Sequence, residues 1–175
     1  MFINPKQAIE RGWIRNIKER WIQPNAVDIS ADKLFEMNSR TLFRIDEDSK
    51  THRERTEVPI INDYWILDSG TYDFASNVYV EIPEGIVGWV VVRSSFNRNG
   101  VYLGSGLYDS GYKGPICGTL YVHGATGLKC GTPVGQFILA QSDSHGVYAG
   151  GYNVSEGKLP SHIKQKEEKK SINQN

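Results

Sequence analysis

An all-β fold, a barrel or sandwich with one short helix near the N-terminus, is what the sequence predicts. Short β-branched and aromatic runs recur between turn residues, and eighteen glycines are spread at close intervals through them. No strand–helix–strand alternation appears along the chain, which speaks against a doubly wound sheet.

The helix is placed by its capping residues. Asn4 suits the N-cap, Pro5 the first helical position, Gln7 a capping box and Gly12 the end. Residues 46–56 (DEDSKTHRERT) are charged and polar, and predict a long surface loop before a strand at Val58. The runs 78–82 (VYVEI) and 88–92 (GWVVV) predict strands, punctuated by Pro83-Glu84-Gly85. Residues 116–122 and 135–140 read likewise, separated by a stretch rich in Gly and Thr at 124–133. From Ser161 onward there is almost no apolar content. The organisation expected is therefore one β domain over 1–160 and a flexible C-terminal tail over 161–175, with no internal repeat.

At 175 residues the chain is long enough for a real core, and its formal net charge is zero. No global field draws it to nucleic acid or to a membrane, and no apolar run approaches the ~20 residues that span a bilayer. The opening MFINPKQAIERG lacks the pattern of a secretory signal, and Cys117 and Cys130 read as reduced thiols. A cytoplasmic protein, of a bacterium or a virus-infected cell, is the expectation. His52, His123, His145 and His162 lack ligand spacing, so no zinc site is expected.

The chemistry concentrates at 92–116, VRSSFNRNGVYLGSGLYDSGYKGPI. Arg93 offers a planar fork for phosphate oxygens, and Ser94 and Ser95 add hydroxyl and backbone donors. Gly104-Ser105-Gly106 suits a hairpin that lets backbone approach a ligand closely. Asp109, between Tyr108 and Tyr112 at the edge of that turn, is placed to orient or deprotonate a water. Together they predict a nucleotide site.

Six motifs in order resemble the dCTP deaminase/dUTPase superfamily. QPNAVDI (23–29) is similar to its first motif, Pro-x-x-Val-Asp, and WILDSGTY (65–72) to the turn before its next strand. RSSFNRNG (93–100) is close to the deaminase Arg-Ser-Ser-x-x-Arg-x-Gly, and DSGYKG (109–114) to the Asp-x-Gly-aromatic-x-Gly of both branches. PVGQ (133–136) is similar to the motif that supplies a phosphate-binding glutamine, Gln136. YAGGY (148–152) with KLPS (158–161) resembles the deaminase C-terminal lid. The resemblance implies a distorted β-barrel or jelly roll of the dUTPase-like type, assembled as a homotrimer with active sites between subunits. It also implies Mg²⁺ held by the substrate's triphosphate, with no direct protein ligand.

One departure redirects the expected chemistry. The deaminase branch carries a glutamate ten residues beyond the motif aspartate, as proton shuttle for replacing the cytosine amino group. Here that position is Thr119, whose hydroxyl cannot shuttle a proton near neutral pH as a carboxylate with a raised pKa can. The segment from Gly100 to Asp109 is also shorter than in typical deaminases and looks like the dUTPase base-binding hairpin. Tyr112 resembles the tyrosine on which dUTPases rest the deoxyribose.

The function so implied is hydrolysis of dUTP, with dCTP as a possible second substrate, to the monophosphate and pyrophosphate. Asp109 would activate the water. Arg93, Ser94, Ser95 and Gln136 would hold the triphosphate, and Lys158 would reach it from the lid. Arg98 is either structural or a further phosphate contact, and Asp28 is expected to support the site or the trimer core. Gly104, Ser105, Gly106, Leu107 and Tyr108 would form the base site, with Tyr112 against the sugar and Tyr152 closing from the tail. The alternatives are a dCTP deaminase with another proton carrier, and a non-catalytic nucleotide-binding regulator.

Overall fold

Asn4 and Pro5 start helix α1 (Pro5–Glu10) in the computed structural model, which describes residues 1–163. The Asn4 side chain accepts from the Lys6 amide at 2.9 Å. Gln7 contributes its carbonyl, which accepts from the Arg11 amide, in place of the expected box onto Asn4. Gly12, at φ +74°, turns the chain out of the helix.

Among the described residues, short strands come first: β1 (Ile14–Arg15), β2 (Val27–Ser30), β3 (Lys33–Met37), β4 (Arg44–Ile45) and β5 (Lys50–Thr51). Then follow β6 (Arg55–Glu57), β7 (Tyr64–Leu67), β8 (Gly70–Glu81) and β9 (Ile86–Val92). A single-turn helix, α2 (Ser94–Asn97), precedes β10 (Val101–Gly104), β11 (Lys113–Val122), β12 (Thr126–Lys129) and β13 (Pro133–Gln141). The runs expected as strands fall within β8, β9, β11 and β13, except for Ile82, which lies just past the end of β8.

All of these strand pairings are antiparallel. One sheet runs β10-β11-β8-β3-β6, with β1 also on β8, and a second runs β2-β13-β9. A bridge between Gly88 and Tyr108 ties β9 to the segment after β10. Ile29, Leu34, Phe74, Val80, Leu120, Val134 and Phe137 form the core, each almost wholly buried. The result is the mostly β architecture that the sequence predicts.

Strand alternation puts the other side chains of the large sheet on its outer face. Asp73 lies opposite Thr119 and Phe35, and Ala75 lies opposite Cys117. That face is also covered, because Phe35 and Ala75 pack against Ile163, which is 1% exposed. Residues 72–76 of β8 are therefore all buried, where a sheet with one wet face would show alternation.

Two segments differ from expectation. Residues 46–56 are not a plain loop: β4 and β5 pair as a hairpin, and β6 joins the large sheet with Met37 opposite Arg55. Asp46 closes the hairpin by accepting from the Ser49 hydroxyl at 2.9 Å and from the Ser49 and Asp48 amides, and these bonds, the hydroxyl first, hold its carboxyl below the usual range. No strand begins at Val58; β6 (Arg55–Glu57) begins inside the expected loop and ends just before Val58, held by the buried pair of Arg55 with Asp73. Of the tail expected from residue 161, Ser161 is exposed, His162 is half-buried and Ile163 is packed on the sheet, and 164–175 lie outside the described residues. Burying Ile163 stabilises that packing by about 1.5–3 kcal/mol.

Gly111 fixes the turn that follows Asp109. Its φ is +86°, and an added Cβ would stand 2.8 Å from Val147 Cβ and 3.1 Å from the Tyr148 amide. Gly111→Ala should cost about 1–3 kcal/mol, read as a lower urea midpoint.

Candidate functional site

A cavity of about 590 Å³ opens on the outer face of the large sheet. Its floor includes Asp73, Cys117 and Thr119, and the hairpin 104–109 with Tyr112 forms one wall. His52, Tyr148, Tyr152 and His162 also line it, from the β4–β5 region and the C-terminal stretch.

The wall is held by hydrogen bonds that the sequence did not reveal. Tyr108 is buried, and its hydroxyl donates to the Cys117 carbonyl at 2.6 Å while accepting from the Cys117 amide at 2.9 Å. Tyr108 thus anchors the hairpin to β11, and its hydroxyl is fully engaged with protein. Ser105 Oγ accepts from the Val90 amide at 3.2 Å, tying the hairpin to β9. Tyr112 is also buried, donates to the Pro115 carbonyl at 3.1 Å, and packs edge-on against Tyr108 and Tyr148. Burial pushes both phenols upward, so they stay neutral.

Asp109, at the end of this wall, is exposed. Among the described residues its side chain makes no hydrogen bond or ion pair. Asp73 has the opposite character, at 5% exposure. It accepts from Thr119 Oγ1 at 2.8 Å and forms a buried ion pair with Arg55. Burial raises the Cys117 thiol to about 12, with Asp73 adding to the effect, so it is a poor nucleophile.

Tyr152 is held by Lys50, which contacts both its ring and its hydroxyl. His162 lies between His52 and Tyr152, with ring centroids 5.7 and 5.3 Å away, and its Nδ1 is buried without a hydrogen-bond partner among the described residues. Burial chiefly, and the charges of Arg55, His52 and Lys50, lower His162 to about 4, against the smaller raising effect of Asp73. A folded value below the ordinary 6.5 means that the unfolded chain takes up the proton first as pH falls. Stability should thus be full above the ordinary value and decline toward about pH 4. Thermal melts across that window should show the decline, and His162→Phe should flatten it.

The expected phosphate residues gather elsewhere. Asp28, 4% exposed, accepts from Gln23 at 3.1 Å and Gln136 at 3.0 Å, with Arg93 Nη2 at 3.9 Å. Ser94 and Ser95 open α2, whose first turn leaves their amides without intrahelical partners. None of Arg93, Ser94, Ser95, Arg98, Gln136 or Lys158 lines the cavity of Asp109. Gly88 bridges Tyr108, and Arg93 follows the far end of β9, roughly 16 Å of extended chain away. Gly104, Ser105, Gly106, Leu107, Tyr108, Tyr112 and Tyr152 do line it.

Asp73, Arg55, His52 and His162 were missed as cavity residues. The available signal was Asp73 itself, a lone acid within the apolar run TYDFA, since a buried charge needs a partner.

Comparison with known proteins agrees with this architecture. The family description "dCTP deaminase-like" matches residues 4–142. A probable deoxyuridine 5'-triphosphate nucleotidohydrolase of Halobacterium salinarum is 34% identical over 145 residues, covering 79% of this chain and 87% of the relative. A dCTP deaminase of Acidianus ambivalens is 27% identical over 161 residues, covering 86% and 91%. Among solved structures, the 2'-deoxycytidine 5'-triphosphate deaminase from Agrobacterium tumefaciens superposes with a TM-score of 0.63 at 10% identity. That match covers 81% of this chain and 48% of the other, so the chain spans about half of that protein and the likeness concerns the fold. On the family match, which takes in most of its length, the chain belongs to the dCTP deaminase-like family.

Proposed function

We propose that the protein hydrolyses deoxypyrimidine nucleoside triphosphates, dUTP and also dCTP, to the monophosphate and pyrophosphate. The observation that carries this reading is the contrast between the two cavity carboxylates. Asp109 is exposed and unpartnered at the rim, free to orient a water toward the α-phosphorus. Asp73 is engaged by Arg55 and Thr119, and residue 119, where the deaminase branch has its glutamate, is a hydroxyl. Among the described residues, deamination by another proton carrier would have to use Asp73, the other carboxylate that lines this cavity, against both of those contacts.

The base would lie along the hairpin 104–107 and the sugar against Tyr112, with Tyr152 closing from above. Arg93, Ser94, Ser95 and Gln136 would bind phosphate oxygens, with Arg98 and Lys158 as further cationic contacts. The distance of that set from Asp109 within one chain supports active sites shared between subunits of a homotrimer. Phosphate groups from one protomer would then meet the Asp109 cavity of its neighbour.

No group of three or more His, Cys, Asp or Glu side chains converges among the described residues. Mg²⁺ carried on the triphosphate oxygens would offset phosphate charge. Incubation with each of dUTP and dCTP, scoring pyrophosphate and ammonia together, tests the reading. Pyrophosphate without ammonia is expected. Ammonia released from dCTP would replace hydrolysis by deamination.

A further inference from the structure

The floor of the cavity bears on which pyrimidine is preferred. Thr119 Oγ1 donates its single hydrogen to Asp73 Oδ1 at 2.8 Å. A hydroxyl has one hydrogen and two lone pairs, so toward the cavity Thr119 offers only an acceptor. Asp73 is likewise an acceptor, and its second oxygen is bound by Arg55. Arg55 directs its Nε at Asp73 and an Nη1 hydrogen at the Arg53 carbonyl at 2.7 Å, so the acceptor character of the floor is that of Thr119 and Asp73 themselves.

Position within the cavity links this floor to the far edge of a base. Asp109 stands exposed at the rim, whereas Asp73 is 5% exposed at the bottom. Gly104, which begins the base-binding hairpin, is the strand partner of Thr119. A nucleotide with its α-phosphate near Asp109 and its ring along the hairpin directs the ring position opposite the sugar toward Thr119. In cytosine that position carries an amino group, a donor, and in uracil a carbonyl, an acceptor.

We propose that Thr119, oriented by Asp73, is a specificity residue that selects a pyrimidine with an exocyclic amino group, so that the cavity takes cytosine ahead of uracil. A carbonyl set against this floor would leave buried acceptors facing one another without a hydrogen between them. The inference rests on the hydrolase reading for its substrate pose, and refines it to dCTP as the better substrate.

The test compares kcat/KM for pyrophosphate release from dCTP and dUTP in the parent protein and three variants. The parent should favour dCTP by roughly tenfold or more. Thr119→Val should bring the dCTP-to-dUTP ratio toward one, and Thr119→Ser should preserve it. Asp73→Asn should shift the ratio toward dUTP, because an asparagine amide donating to Thr119 releases the hydroxyl hydrogen toward the cavity. A parent that prefers dUTP, or a Thr119→Val variant that keeps the parent ratio, overturns the proposal. Equilibrium binding of the α,β-imido analogues of dCTP and dUTP reads the same ratio without turnover. Absence of hydrolysis would therefore count against the hydrolase reading while leaving base selection decided by the binding ratio.

Discussion

Asp109→Asn is expected to lower pyrophosphate release by about 10²–10⁴-fold, the range for loss of a general base. The substitution keeps the size of the side chain and removes its charge at an exposed position where it makes no hydrogen bond or ion pair with another described residue. The fold should accordingly be unaffected, and the β-rich circular dichroism and urea midpoint should match those of the parent. Binding of an α,β-imido deoxypyrimidine triphosphate, measured by calorimetry, should persist, since the base and phosphate contacts proposed above lie on other residues. Activity within tenfold of the parent would take Asp109 out of the chemistry. Lost binding with lost activity would make it a ligand-positioning residue instead.

Arg55→Met should have the largest effect on stability, about 3–5 kcal/mol. Its side chain is 9% exposed and that of Asp73 is 7%, so truncating the cation leaves a carboxylate buried with Thr119 as its remaining described contact. The pair itself need not be strongly stabilising, because desolvating two charges offsets much of their attraction. The double variant Arg55→Met/Asp73→Leu should therefore recover much of the loss. Urea unfolding of both variants checks this, and a single variant within about 1 kcal/mol of the parent would mean that water reaches the site freely.

The parts of this fold that were legible in the sequence are those whose signals are local. The runs within β8, β9, β11 and β13 are β-branched and flanked by turn residues, and Asn4-Pro5 marks the start of α1 through capping chemistry. β4, β5 and β6 were not legible, because they are two or three residues long and, apart from Ile45, their side chains are charged or polar. What makes Arg55 part of a sheet is Asp73, eighteen residues away, and no periodicity records such a pair.

The cavity divides in the same way. Asp109 and the glycines around it stand out because turns and exposed carboxylates leave local signatures. The role of Tyr108 as an anchor depends on the backbone of Cys117 across two strands, and so reads in sequence as one more aromatic beside a turn. His162 and Ile163 were assigned to a tail because their surroundings are polar. Their burial comes from Phe35, Ala75 and the His52 region, which are brought close only by the folded sheet.

The stretch that ends at Ile163 roofs the Asp109 cavity and also shields Phe35 and Ala75 from water. Lifting it to admit a nucleotide would uncover apolar sheet in the same movement. Access and local cohesion are then one equilibrium, and a seated substrate, by holding that cover down, would make the chain next to Ile163 harder to digest.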